Sequence, residues 1–280
     1  MKISGCTIAR NVIKYNYPVL ESIQSILPIC DEFVVNVGDS QDETLALIKS
    51  IKSDKIRIIQ NVWDFSQKAE VLSHQTNLAL RACRGDWTFY LQSDEVIHEE
   101  DLPVLERMMR RYLEDKEVEA LRFKWFHFYG SYFRYRIDRG WYQKQDRIIR
   151  NNGEIESYGD AYGFRRKDAQ PLKRKNTGCF LYHYGWVQPE DVMKQRRINA
   201  EKIGFVTLQE GERRQEYSYS DLNRFPIYWG THPQGMGRRI REHRLSQKDL
   251  KEINKKYWWH PFKWLKVRYK TFKRISHKIE

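Results

Sequence analysis

Four short apolar runs separated by three stretches of helical spacing fill the first 91 residues, and that alternation limits what the chain can become. Ile3-Ser4-Gly5-Cys6-Thr7-Ile8-Ala9 reads as a strand that breaks at Arg10-Asn11. Val19, Ile23, Ile26 and Leu27 then recur at helical spacing between Pro18 and Pro28. Asp31 to Val37 reads as a second strand. It runs into the turn Gly38-Asp39-Ser40-Gln41-Asp42-Glu43-Thr44, whose Asp42 can cap the helix carrying Leu45, Leu47, Ile48 and Ile51. A third strand spans Lys55 to Val62. A third helix spans Gln67 to Cys83 and is closed by Gly85, and Trp87 to Leu91 is the fourth strand. Strands alternating with helices predict a parallel sheet with covering helices, because parallel neighbours must be joined by a crossover.

The fourth strand ends in Gln92-Ser93-Asp94-Glu95. In open α/β sheets ligands bind beyond the carboxyl ends of the strands. Two adjacent acids there suit a hard divalent cation that takes oxygen ligands and shares itself with substrate phosphates. The same two acids would equally serve to start a turn and cap the next helix.

Ile8-Ala9-Arg10-Asn11, Leu20-Glu21-Ser22-Ile23, Asp31 to Val35, Gly38 to Thr44 and the strand ending in Ser93-Asp94-Glu95 occur in order and at normal spacing. Together they resemble the family 2 glycosyltransferases, whose nucleotide-sugar-binding domain has the GT-A fold. The resemblance implies a mixed, mainly parallel α/β sheet with helices on both faces. It also implies a nucleotide diphosphate sugar donor and a divalent metal, Mn²⁺ or Mg²⁺, on Asp94. The first strand's end (Thr7, Ala9, Arg10, Asn11), the turn after the second strand (Asn36, Asp39, Asp42) and Gln92 and Ser93 become nucleotide-binding candidates. Two departures stand out. Asn36 occupies a position usually held by an acid, for which Asp39 can substitute. Gln92 stands where Asp is common, and it offers a neutral oxygen in place of a charge.

The chain has 280 residues, 40% hydrophobic and 31% charged, which fits a folded protein with one main domain and an extension. No apolar run approaches the roughly 18 to 20 residues needed to span a bilayer. Met1-Lys2 leads straight into the first strand, so no signal peptide is expected. Cys6, Cys30, Cys83 and Cys179 are scattered and are expected to be reduced, in keeping with a cytoplasmic location. The net charge of +13 implies an anionic partner. No helix-turn-helix, zinc-finger or RNA-binding signature accompanies it, so nucleic acid is not the expected one.

Beyond the tetrad, Leu102, Leu105, Met108, Met109 and Leu113 mark an amphipathic helix, and Val118 to Tyr129 an aromatic strand. Arg134, Arg136, Arg139, Arg147 and Arg150, mixed with Tyr135, Trp141 and Tyr142, read either as a solvated basic surface or as an acceptor cleft. In such a cleft guanidinium groups would hold phosphate and aromatic rings would stack on sugars. Arg147, Trp141 and Glu95 are the acceptor or phosphate candidates. Tyr182-His183-Tyr184 follows the apolar strand Cys179-Phe180-Leu181. His183 reads as a hydrogen-bonded core residue or, where many GT-A enzymes place a late histidine, as a further metal or diphosphate ligand. Asp160, flanked by Gly159 and Gly163, is the candidate catalytic base. Asp146 competes with it, although Lys144 and Arg147 beside it would lower its basicity.

The division expected is a nucleotide-sugar half (1–97), an acceptor half (98–245) and a basic aromatic C-terminal helix or tail (246–280). In the tail Trp258, Phe262, Leu265, Tyr269, Phe272 and Ile279 fall on one helical face among many lysines and arginines. That pattern suits a helix docked on the domain or an amphipathic anchor lying on an anionic membrane surface at the inner face of the cell membrane. The function expected is sugar transfer to a saccharide or glycolipid hydroxyl, with inversion, in bacterial surface polysaccharide or lipopolysaccharide synthesis. The alternative is a non-catalytic module that binds anionic glycolipid or nucleic acid. A nucleotidyltransferase is disfavoured, since Thr7-Ile8-Ala9-Arg10-Asn11 is not a Gly-rich, Lys/Arg-bearing loop.

Overall fold

Every residue of strand β1 (Ile3–Ala9) is buried, which requires cover on both faces of the sheet. The computed structural model describes residues 1–136, 140–202, 204 and 206–257, and it supplies that cover. β1 pairs in parallel with β2 (Glu32–Gly38) on one side and β4 (Trp87–Tyr90) on the other, and β2 pairs in parallel with β3 (Ile56–Asn61). Helices α1 (Val19–Ile26), α2 (Thr44–Lys49) and α3 (Glu70–Ala82) make the crossovers, as the alternation predicts. Phe33, Val35 and Val37 of β2 pack on the α1 and α2 face, together with Val19, Ile23, Ile26 and Ile48. Val34 points the other way, to Ala79 and Leu80 of α3.

Beyond β4 the sheet changes character. Its remaining strands are β5 (Glu95–Ile97), β6 (Ala120–Tyr129), β7 (Ser131–Arg136), β8 (Lys144–Arg150) and β11 (Arg174–Trp186). A hairpin of β9 (Ile155–Tyr158) and β10 (Gly163–Arg166) stands apart. Helix α4 (Leu102–Arg111) follows β5 and buries Leu105 and Met109 as expected. Among the described residues the strand order is β3-β2-β1-β4-β8-β6-β11-β5, with β7 on β6. β8 joins both its neighbours antiparallel, while β6 and β11 run parallel. The strand read from Cys179 to Leu181 is thus the middle of a thirteen-residue one.

The remaining helices are α5 (Glu190–Lys202), α6 (Glu210–Arg214), α7 (Gly237–Glu242) and α8 (Arg244–Tyr257). α8 is seated on β7 by a buried ion pair, Arg134 to Asp249 at 3.2 Å, and by Ser246, whose Oγ accepts from the Tyr132 amide at 2.8 Å. Residues 258–280, including Trp258, Phe262, Leu265, Tyr269, Phe272 and Ile279, lie outside the described residues. Among the described residues no helix is long and apolar enough to cross a membrane. All four cysteines are buried and unpaired.

Candidate active site

A cleft of about 510 Å³ opens at the carboxyl ends of β1 and β4. Ile8 and Arg10 from β1's end, Trp63 and Phe65 from the segment after β3, and Gln92, Ser93 and Asp94 after β4 line it. Asp160, Trp186 and Arg196 line it as well. Arg10 lies 4.6 Å over the Phe65 ring and 5.9 Å from that of Trp63, and its Nε donates to Asp39 at 3.3 Å. The result is an aromatic wall of two rings tilted 42° to each other, with a fixed positive charge on it.

The tetrad folds as a tight turn, the Glu95 amide donating to the Gln92 carbonyl at 3.0 Å. Ser93 pins the turn to β1 through its hydroxyl, which donates to the Ile8 carbonyl at 2.7 Å. Antiparallel pairing of β5 with β11 sets His183 opposite Glu95, and the Tyr184 amide donates to the Asp94 carbonyl at 2.8 Å. His183 Nε2 thereby lies 3.5 Å from Asp94 Oδ2, and Arg196 Nη2 lies 3.7 Å from the same oxygen. Burial alone would raise the Asp94 carboxyl, but His183 and Arg196 outweigh it and hold the group below its usual range.

A hydrogen-bond relay orients His183. His127 Nε2 stands 2.7 Å from the Tyr142 carbonyl oxygen, which can only accept, so that nitrogen carries a proton. Burial pushes His127 down to about 3, so it is neutral and its Nδ1 is an acceptor. His183 Nδ1, 3.1 Å away, must then donate, which aims Nε2 at Asp94. A carboxylate and an imidazole nitrogen facing each other at this distance are satisfied by a proton or by a metal ion between them. Gly185 keeps the space open, since a methyl group there would overlap Asp94 Oδ2 and lie 2.8 Å from His183 Nε2. Among the described residues no group of three His, Cys, Asp or Glu side chains converges. The donor set therefore fits a divalent ion with two protein ligands that completes its shell with phosphate and water.

Asp160 enters the cleft on a loop held in an unusual conformation. Gly159 and Ala161 both have positive φ, 58° and 60°, and the alanine does so at a steric cost. Gln92 Nε2 secures the loop by donating to the Ala161 carbonyl at 3.2 Å, and Arg147 Nη1 donates to the Tyr162 carbonyl at 3.0 Å. Burial raises the Asp160 carboxyl above its ordinary value, against the lowering effect of the Tyr162 and Asp160 amides and of Arg147.

Several sequence candidates lie elsewhere. Arg147 and Glu95 form a bidentate pair, 2.8 Å at both contacts, with both side chains fully buried. Neither is free to hold a phosphate. Asp146 is buried on β8, with Oδ1 on Arg122 at 2.9 Å and Oδ2 on Arg174 at 2.8 Å, and the pair of cations leaves it poorly placed as a base. Thr7 and Ala9 point away from the cleft because strand alternation gives that side to Ile8. Asn36 is buried against α3, donating to Gln75 Oε1 at 2.9 Å and accepting from Asn61 at 2.8 Å. Asn11 and Asp42 tie loops together, Asn11 accepting from the Gln41 amide at 2.7 Å and Asp42 from the Lys14 amide at 2.8 Å. Asp39 accepts from the Trp63 amide at 3.0 Å and stands behind Arg10. Trp141 packs 5.1 Å behind Trp186.

Among the described residues the basic cleft is not assembled. Arg134 is buried on Asp249, and Arg150 donates to the carbonyls of Val118, Leu113 and Asp115. Arg136 stacks on Trp141 at 4.6 Å, and Arg139 lies outside the described residues. Sequence reasoning missed Tyr17, Trp63, Phe65, Trp186 and Arg196. Trp63 and Phe65, just after a strand's carboxyl end, and Trp186, at one, carried a usable signal.

The sequence pattern described as "Glycosyl transferase family 2" matches residues 6–172. No curated protein matches the chain. Among solved structures, S. aureus TarS 1-349 is 18% identical with a TM-score of 0.42, covering 76% of this chain and 68% of that one. The longer S. aureus TarS structure is 19% identical with a TM-score of 0.43, at 76% and 41% coverage. TarS 1-349 in complex with UDP-GlcNAc is 17% identical with a TM-score of 0.40, at 76% and 69% coverage.

Proposed function

This chain belongs to glycosyl transferase family 2, and we propose that it moves a sugar from a nucleoside diphosphate sugar to a hydroxyl of a saccharide or glycolipid acceptor, with inversion. One observation carries the reading: Asp94, with His183 Nε2 3.5 Å from its Oδ2, and Asp160 line one cleft together with the Arg10–Trp63–Phe65 wall. The nucleoside lies along that wall and the diphosphate beside Asp94 and His183. Asp160, raised by burial, accepts the acceptor's proton as the new bond to the sugar forms. The Gln92 and Arg147 contacts hold its loop in place for that transfer. A divalent ion on Asp94 and His183 would neutralise charge on the leaving diphosphate. The relay from Tyr142 through His127 keeps the His183 Nε2 lone pair directed at that position.

A cytoplasmic enzyme of surface polysaccharide or lipopolysaccharide assembly would meet its acceptor at the membrane, where the basic C-terminal segment is suited to hold it. The test is thermal shift against a panel of nucleoside diphosphates, with and without Mn²⁺ or Mg²⁺. A ligand at 100 times its dissociation constant adds about 2.7 kcal/mol of stability. No shift with any nucleoside diphosphate under either condition overturns the reading.

A further inference from the structure

We propose that Arg196 is an exchangeable counter-ion, paired with Asp94 while the cleft is empty and with the donor's diphosphate once it is filled. The inference rests on the donor reading above and adds to it a residue with no sequence signature. Arg196 comes from α5, 102 positions after Asp94 in the chain. Its guanidinium lies 4.6 Å over the Tyr17 ring, donates through Nη1 to the Gly185 carbonyl, and reaches Asp94 Oδ2 with Nη2 at 3.7 Å. Lys194 and Arg197 of the same helix have acids of their own, Glu216 at 2.5 Å and Glu212 at 3.1 Å. Arg196 instead shares its acid with the candidate metal site.

That sharing has a definite electrostatic consequence. A divalent ion that takes Asp94 Oδ2 as a ligand arrives within a few ångströms of the guanidinium, where like charges repel. It also removes the carboxylate that the guanidinium was paired with. Nucleoside diphosphate reverses both effects, because its phosphate oxygens offer the displaced guanidinium a new, planar-matched anion. Tyr17 and the Gly185 carbonyl keep the side chain over the cleft during the exchange. Arg196 thus opposes metal binding by itself and supports binding of the diphosphate. It makes the two depend on each other.

The test is that Arg196→Gln should shift the two affinities in opposite directions. Mn²⁺ binding in the absence of nucleotide, read from the electron paramagnetic resonance signal of the free ion, should tighten about tenfold. Affinity for the best-binding member of a UDP, GDP, CDP, ADP and dTDP panel, by calorimetry in saturating Mn²⁺, should weaken about tenfold, the scale of one charge-assisted contact. Arg196→Lys, which keeps the charge, should hold Mn²⁺ affinity within about threefold of wild type, and it serves if the glutamine variant folds poorly. Arg213→Gln removes the same charge from the pair with Glu201 on α5, and should change neither affinity. Mn²⁺ binding that is equal or weaker in Arg196→Gln overturns the assignment while leaving the donor reading intact. A wild type that binds none of the diphosphates defeats the donor reading, and the counter-ion assignment with it.

Discussion

Asp94 and Glu95 are chemically near-identical neighbours with opposite fates, because one turn of backbone sends the first into the cleft and the second into the core. Asp94→Ala should abolish sugar transfer with the fold intact, measured as product formation beside an unchanged melting temperature. Glu95→Gln leaves Arg147 buried without its counter-charge. It should cost about 3–5 kcal/mol in denaturant unfolding, the scale for breaking a buried pair from one side. The two carboxylates once competing as base separate in the same way. Asp160→Asn should lower turnover by about 10² to 10⁴ with donor binding little changed. Because burial raises Asp160, the acid limb of the wild-type pH–rate profile should lie above the ordinary aspartate range and vanish in the variant. Asp146→Asn should instead destabilise the fold, since Arg122 and Arg174 lose their shared partner. If Asp146→Asn lowers turnover in that range at unchanged stability, the base has been misassigned.

At the level of elements, the site depends on how β5 and β11 pair. A one-residue slip in that register would exchange His183 for a tyrosine opposite Glu95 and turn the imidazole to the other face of the sheet. β11 is also where a buried acid meets the start of α4. Asp101 lies near Cys179 and Phe180 and burial pushes it up to about 6. A carboxyl raised in the folded state contributes stability that is full below its unfolded value, near 4, and is lost as pH climbs through 6. Asp101→Asn should therefore flatten the pH dependence of the unfolding free energy between about 4 and 6 and stabilise the protein at pH 7 by up to about 3 kcal/mol. Melts across that range decide it, and an unchanged slope would count against the buried-acid account. The long β11 was only partly legible, because Lys175, Asn176 and Gly178 interrupt its apolar pattern and its pairing partners lie more than fifty residues upstream.

For the whole molecule the net charge of +13 suits an anionic partner, and a dense run of that charge follows α8. Asp249 and Ser246 already commit the start of α8 to β7, so an informative truncation begins after Tyr257. Deleting residues 258–280 should release the protein from anionic vesicles in co-sedimentation while sparing nucleoside diphosphate binding. Equal binding to neutral vesicles, or no loss on truncation, would rule out the anchor. The first half of the fold, its parallel order and the placing of Asp94 were legible in the sequence, because strand and helix periodicity and a ligand edge at the strand ends are local properties. So was the family. The sequence also carried Asp160 and His183 as candidates, but it could not distinguish them from Asp146, Arg147 or Asn36, which are likewise polar residues beside apolar ones. That distinction belongs to tertiary structure alone. Whether a charge is a brace or a reactive group depends on which partner lies within about 4 Å, and for Arg147, Asp146 and Arg196 those partners come from other strands and helices whose register no local pattern encodes.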